Sequence, residues 1–487
     1  MTDELRSKIL SFTAANISAQ VATTLTGIFL ARTLSLEDLG SYRQVILLVS
    51  TGGGIFALGL PLSLFYFLPR LEARDERARF AGQTLLLLSG IGLVVALLAV
   101  GLSSWIALRL NNPALEGLIP VAAPLFFTGL LVKYVAPVFL SLDRARLAGI
   151  FRLIQSFSVS GVLVALVAMG FPLARALVGM AVAEGLSLLV AYRLQHRILP
   201  LRLGMDPSLL KPQLLYALPL GLSGMVGLLS RQVDQFMISA FMDPGRFALY
   251  SVGATEVPIV PLLVGSAGSV ILPRLAGHFA AGEKDGYARL FQGTQRKLAL
   301  LCIPVTVGFM ALARPFLVFL YGEEFSASVW VFRIYGLIQL NRLFLFGFLL
   351  QSLGLTRIVL LGEVVFMTLN VVGNYFLLRW IGFLGPALAT EAAGLVIMSF
   401  NTWYVGWRKS IPRRQLYAVG DIARILGVSA VSGGAAAWAA TLPHGVFLQL
   451  VVGGLVYLPL VLGGLMLLGV LRADERPWDI LRRRRLP

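Results

Sequence analysis

SRQVDQFMISAFMDPGRFALYSVG, residues 230–253, sets two opposite charges inside an apolar stretch and then turns. Arg231 and Asp234 are three residues apart, the spacing that puts them on one face of a helix. Asp243 followed by Pro244 supplies a helix N-cap with proline at the first helical position. A second apolar segment then carries Glu256 and closes on Leu272-Pro273-Arg274. The first seventy residues hold a cousin of this stretch. SLEDLGSY at 35–42 matches DPGRFALY at 243–250, with Ser35 and Asp38 in a capping-box pattern. FLPRL at 67–71 matches ILPRL at 271–275, and LRLNNPAL at 108–115 has a coarser echo in FLYGEEFS at 319–326. The chain is duplicated at an offset of just over 200 residues.

Composition says what is duplicated. Of 487 residues, 57% are hydrophobic and 13% charged, against about 25% charged in an ordinary soluble chain. Mean hydropathy is +0.82. Runs without charge recur at Ile9–Ala31, Gln44–Pro69, Phe80–Leu108 and Leu153–Ala174. Each is long enough for the roughly 20 apolar residues that span a bilayer as a helix. The pattern predicts an all-α polytopic membrane protein of about fourteen transmembrane helices. They cover about 9–31, 42–68, 80–108, 119–141, 152–170, 176–195, 213–240, 247–272, 297–320, 328–353, 358–378, 385–407, 422–441 and 446–470. The alternation that marks a membrane barrel is absent.

Helices 1–6 then pair with helices 7–12. Six is even, so both halves start on the same side and the repeat is parallel. The expected organisation is an N-lobe at 1–196, a linker at 197–213 and a C-lobe at 214–410. Two more helices at 411–471 and a basic tail at 472–487 complete it. Two parallel bundles suggest alternating access between lobes. With the amino terminus in the cytoplasm, twenty-nine Lys and Arg fall in cytoplasmic segments and eight outside. Arg152 is counted in the loop before helix 5. Such a bias sets orientation, with both termini cytoplasmic. The net charge of +17 is therefore read as loop charge rather than a nucleic-acid surface. Trp105, Trp330, Trp380, Trp403, Trp407 and Trp438 all fall at predicted helix ends and Trp478 in the tail, as indole rings at headgroup level should. The amino terminus, MTDELRSKIL, carries no cleavable signal, and its first apolar run is long enough to stay in the membrane.

No GxxxxGK[ST] loop is present, so ATP hydrolysis on this chain is not expected. His196, His278 and His444 are isolated, and Cys302 is the single cysteine, so neither a metal site nor an internal disulfide is expected. The informative groups are ionisable side chains within helices, each costing about 2.5–3.5 kcal/mol at the bilayer centre on insertion scales. The cations are Lys133, Arg231 and Arg342; the carboxylates are Glu184, Asp234, Glu256, Glu363 and Glu391. Asn16 and Gln20 on helix 1, and Asn370 and Asn374 on helix 11, add polar walls. Lys133, Arg231 and Arg342 read as substrate-cleft cations, and Asp234, Glu256 and Glu184 as coupling or cleft carboxylates. For Arg231 and Asp234 a self-neutralising pair is the other reading. For Glu256, an inter-helix partner such as Arg342 competes with coupling to protons. Lys133 and Arg342 line a cleft or hold helices together. Glu363 and Glu391, near helix ends, read as packing residues.

LARTLSLEDLGSYRQ at 30–44, FLPR at 67–70, VDQFMISAFMDPGRFALYSVG at 233–253, the LPR at 272–274 and LYGEEFSAS at 320–328 together resemble a known family. It is the polysaccharide-transporter branch of the multidrug/oligosaccharidyl-lipid/polysaccharide exporter superfamily, and the resemblance covers the whole chain. It implies a flippase in the bacterial cytoplasmic membrane. Such a protein moves a polyprenyl-diphosphate-linked oligosaccharide of O-antigen (lipopolysaccharide), capsule or exopolysaccharide biosynthesis from the inner to the outer leaflet. It also implies a cationic cleft, a coupling gradient of H+ or Na+ with no bound cofactor, and polysaccharide polymerase or export machinery as partners beside membrane lipids. Asp234 matches the acidic residue that the family carries in helix 7. Asn16 and Gln20 stand where lipid II flippases place cavity arginines, which makes that substrate the less expected one. A drug/cation antiporter of the same superfamily is the main alternative, disfavoured by the three buried cations. A membrane glycosyltransferase or polysaccharide polymerase is the other. Glu37-Asp38 tempts that reading, but capping explains the pair more simply.

Overall fold

The computed structural model describes residues 3–257, 259–344, 346–409 and 416–471, with side chains from residue 11 onward except those of Phe346, Thr356, Arg408 and Lys409. The basic tail, Arg413, Arg414 and Trp478 lie outside the described residues, as do the side chains of Arg6 and Lys8. The described chain is helical throughout. By internal packing it divides into Met1–Ala248 and Leu249–Pro487.

The first unit holds α1 (Asp3–Thr33), α2 (Leu36–Phe56), α3 (Leu60–Phe67), α4 (Arg74–Gly101) and α5 (Ser103–Arg109). It continues with α6 (Ala114–Ser141), α7 (Ala145–Ala168), α8 (Leu173–Ile198) and α9 (Pro207–Phe241). Helix α10 (Pro244–Gly253) crosses the division. The second unit holds α11 (Ile259–Ala280), α12 (Lys284–Ala311), α13 (Ala313–Tyr321), α14 (Val329–Asn341) and α15 (Phe346–Ser352). It ends with α16 (Thr356–Ile381), α17 (Gly385–Lys409), α18 (Val419–Ala439) and α19 (Val446–Leu467).

Eleven segments are long and apolar enough to cross a membrane, thirteen if each of two bent pairs is one span. One of these segments, Arg357–Trp407, contains two helices, α16 and α17, packed along each other. Counted as separate spans, they bring the number among the described residues to the expected fourteen.

The duplication is visible in the breaks. Helix α4 runs 28 residues, breaks at Leu102 and resumes as α5; α12 runs 28 residues, breaks at Leu312 and resumes as α13. The second span of each half is also interrupted, α2 from α3 by a 45° bend and α10 from α11 by the non-helical residues 254–257. Both start signals act as their residue types predict. The Ser35 hydroxyl accepts the Asp38 N–H at 3.1 Å and donates to the Asp38 carboxylate at 2.8 Å. Asp243 Oδ1 accepts the Arg246 N–H at 2.9 Å. The second stop signal does not act. Helix α11 was expected to close at Leu272-Pro273-Arg274 and instead runs through Pro273 to Ala280. Leu275, just beyond the proline, is fully buried in the second unit's core with Tyr287 and Phe291. That packing holds the turn although proline removes one backbone donor.

Two contacts fix α9 and the turn after it against the first unit. Gly40 of the first copy faces Pro244 of the second so closely that a Cβ there would lie 1.9 Å from the Pro244 carbonyl oxygen. Gly59, at φ +72°, turns the α2–α3 break beneath Ala217 of α9, where a Cβ would lie 2.3 Å from the Ala217 carbonyl oxygen. Around these sit two buried polar knots. Gln44 Nε2 donates to Ser239 Oγ at 2.8 Å, and its Oε1 accepts Asn112 Nδ2. Gln213 Nε2 donates to Ser63 and Thr84 at 3.0 and 2.7 Å, and its Oε1 accepts Gln83. In a lipid solvent apolar surface gives no drive to associate, so close packing and polar bonds of this kind hold the helices. The expected linker shortens accordingly: α8 runs to Ile198 and α9 begins at Pro207, capped by Asp206. Apolar side chains remain turned outward on many helices, as lipid-facing surfaces require. The six described tryptophans are exposed and lie at helix ends or in short α5.

Candidate functional site

Within the first unit, α1, α2, α6, α7 and α8 line an open cavity of about 400 Å³. Three residues singled out by sequence meet there: Asn16 from α1, Lys133 from α6 and Glu184 from α8. Arg152 joins them from α7. Gly53 of α2 makes room for the lysine, since a Cβ there would stand 3.1 Å from Lys133 Cε. Two cations and one carboxylate leave the lining formally positive. That excess of positive charge favours an anion.

The carboxylate is built in. Glu184 is 9% exposed. Its Oε1 accepts Gln155 Nε2 at 3.1 Å and its Oε2 takes a short hydrogen bond from the Thr128 hydroxyl. Gln155 in turn accepts Arg152 Nη1 at 3.2 Å through its Oε1. Lys133 and Arg152 themselves are exposed. Arg152 corrects the sequence reading, which left it among loop charges. Helix α7 begins at Ala145, so Arg152 lies two turns inside it. The early start follows from burial of Ala148 and Phe151 in the first unit's core.

The remaining expected site residues lie elsewhere. Gln20 is exposed and is not among the residues lining the cavity. Neither are Arg231 and Asp234, both on α9. Arg231 is exposed while Asp234 is 1% exposed and accepts the Gln235 N–H at 2.9 Å. Shared helical spacing has not given them a shared environment.

In the second unit Arg342 and Glu256 form a bidentate pair, with Nη1 to Oε2 at 2.7 Å. Neither sits within a continuous helix as the sequence suggested. Glu256 lies between α10 and α11, and Arg342 opens a single 3-10 turn, Arg342–Phe344, between α14 and α15. Glu256 thus has the partner that one of its two readings named. Asn370 and Asn374 are 1% and 0% exposed. Asn374 Nδ2 donates to Asn370 Oδ1 at 2.5 Å, and the Thr390 hydroxyl of α17 donates to the same oxygen at 3.1 Å. Asn370 therefore joins α16 to α17. Glu391 accepts Asn341 Nδ2 at 2.8 Å, as a packing residue would. Sequence reasoning passed over Gln155 and Thr128, whose importance rests on the Glu184 carboxylate that packing brings beside them.

The chain matches the family model described as polysaccharide biosynthesis protein over residues 29–330. It belongs to that family. A probable lipid II flippase MurJ of Vibrio cholerae serotype O1 is 26% identical over 217 residues, 42% of this chain. The match spans only 40% of that relative's own length. Solved structures extend the likeness in fold to nearly the whole family member described here. A lipid II flippase MurJ in an inward closed conformation superposes with TM-score 0.72 at 14% identity, covering 94% of this chain and 99% of that one. An inward-facing multidrug resistance MATE family transporter of the MOP superfamily superposes with TM-score 0.60 at 14% identity, covering 81% and 96%. The family member thus has the fold of the superfamily that its motifs resemble, a multi-pass membrane architecture.

Proposed function

We propose that this chain is a flippase for a polyprenyl-diphosphate-linked oligosaccharide, and not an enzyme. The observation that carries the reading is the cavity in the first unit, where Lys133 and Arg152 stand in membrane-spanning helices. Its volume of about 400 Å³ falls in the range of small-ligand sites, about 300–1,000 Å³. It takes a diphosphate and adjoining sugar while the polyprenyl chain stays in lipid. Intramembrane cations are costly, and an anionic cargo that must leave water gives them a purpose. Membership of a polysaccharide biosynthesis family supports a glycan cargo, and the partial likeness to a probable lipid II flippase supports a lipid-linked one. The finer reading is an O-antigen, capsule or exopolysaccharide repeat unit, moved outward across the cytoplasmic membrane by alternating access. Cytoplasmic termini, coupling to H+ or Na+, and polymerase or export partners belong to the same proposal.

Deleting the gene and analysing lipid-linked sugars by leaflet tests it. A complete oligosaccharide-diphosphate lipid should accumulate on the cytoplasmic side. The second reading, a drug/cation antiporter, is favoured by the MATE-like fold. Unchanged glycans with new drug sensitivity would select it.

A further inference from the structure

We infer that Glu184 is a positioning residue, which acts through Gln155 to hold Arg152 ready for an anionic cargo. This rests on the cavity being the anion site proposed above. Both Glu184 oxygens take hydrogen bonds from neutral donors, Thr128 and Gln155. An ionised carboxylate only accepts, so Gln155 must turn its NH2 toward Glu184. The other end of the same amide, its carbonyl oxygen, is thereby committed to Arg152. The guanidinium has donors only and needs that oxygen. Reverse the amide and its NH2 would face Arg152, a donor against a donor.

The charged groups facing Glu184 are few. Helix α6 contributes Lys133 and α7 contributes Arg152, while α1 and α2 line the cavity with the neutral Asn16 and Ser50. Glu184 is therefore the one acidic residue in the lining. Simple electrostatics predicts that removing its charge strengthens anion binding. Positioning predicts the opposite, because an uncharged amide at 184 can donate to Gln155 and reverse it.

The experiment uses the full chain in nanodiscs with farnesyl diphosphate, a short polyprenyl diphosphate, titrated by calorimetry. Glu184→Gln, nearly isosteric, should weaken binding about tenfold, the scale of one lost bond to a charged group. Gln155→Met, which cuts the link and leaves the carboxylate, should lose as much. The exchange Glu184→Gln with Gln155→Glu puts an acceptor-only group beside Arg152 again and should recover binding to within about threefold. Unchanged or tighter binding in Glu184→Gln, or no recovery in the exchange, overturns the inference. Lys133→Ala with Arg152→Ala is the separate control. Full binding in that variant overturns the anion-site reading itself, whatever Glu184 does.

Discussion

Arg342 grips Glu256 through Nη1 and Nη2, at 2.7 and 2.5 Å, where the helices carrying them are interrupted. A fork-on-carboxylate pair adds geometry to charge. It ties the break between α10 and α11 to the 3-10 turn after α14. Each partner is about one-third exposed, 33% and 32%, so its worth is discounted for screening.

Removing either partner leaves the other charge without its mate. Arg342→Ala and Glu256→Ala should each lower stability by about 1–2 kcal/mol. The double variant should cost little more than one alone. Thermal unfolding of the purified protein reads this. Additive losses would show that the two side chains act separately.

Arg231 is exposed on α9, so its truncation should leave the fold intact. If it meets the cargo, Arg231→Ala abolishes complementation of a flippase deletion at normal protein levels. Glu391→Ala should behave in the opposite way, with transport retained and about 1–3 kcal/mol of stability lost as the Asn341 amide loses its acceptor. Normal transport by Arg231→Ala would remove that residue from the cargo path.

Gly40→Ala should be severe, because its Cβ would meet backbone rather than a side chain that can move. We expect a loss of about 1–3 kcal/mol, the range for overpacking. Gly185→Ala, on α8 with nothing within 4 Å, is the control and should be neutral or slightly stabilising. Equal melting temperatures for the two would contradict the packing of α2 on the start of α10.

Asp206 caps α9 from outside the spanning segments, and the Ser208 hydroxyl and N–H hold its carboxyl below the usual carboxylate range. With the folded value depressed, the cap's contribution is present above the unfolded pKa and is lost as pH falls through the folded one. Hydrogen exchange at the Ser208, Leu209 and Leu210 amides should therefore quicken on acidification, after correction for the intrinsic pH dependence of exchange. Asp206→Asn should abolish that added sensitivity.

Much of this was legible in the sequence. Spans follow from length and apolarity, because a bilayer core sets a fixed crossing distance. Ser35 with Asp38, and Asp243 with Pro244, mark helix starts because a capping side chain satisfies its own neighbours' N–H groups. These are local effects, complete within four residues. The ionisable residues in apolar runs were equally visible, since each carries an insertion cost that pattern alone reveals.

The first stretch read, residues 230–253, shows where such reading stops. Its repeat and its turn were legible, but that Asp234 is buried and Arg231 is not was beyond local pattern. Tertiary packing made that difference. It also carried α11 through Pro273, drew Arg152 into a cavity with Lys133, and joined Glu256 to a residue 86 positions away. Partner choice over such separations depends on which helix faces meet. In a membrane those faces are selected by close packing and by scattered neutral amides and hydroxyls, residues whose presence in an apolar run sets no periodicity.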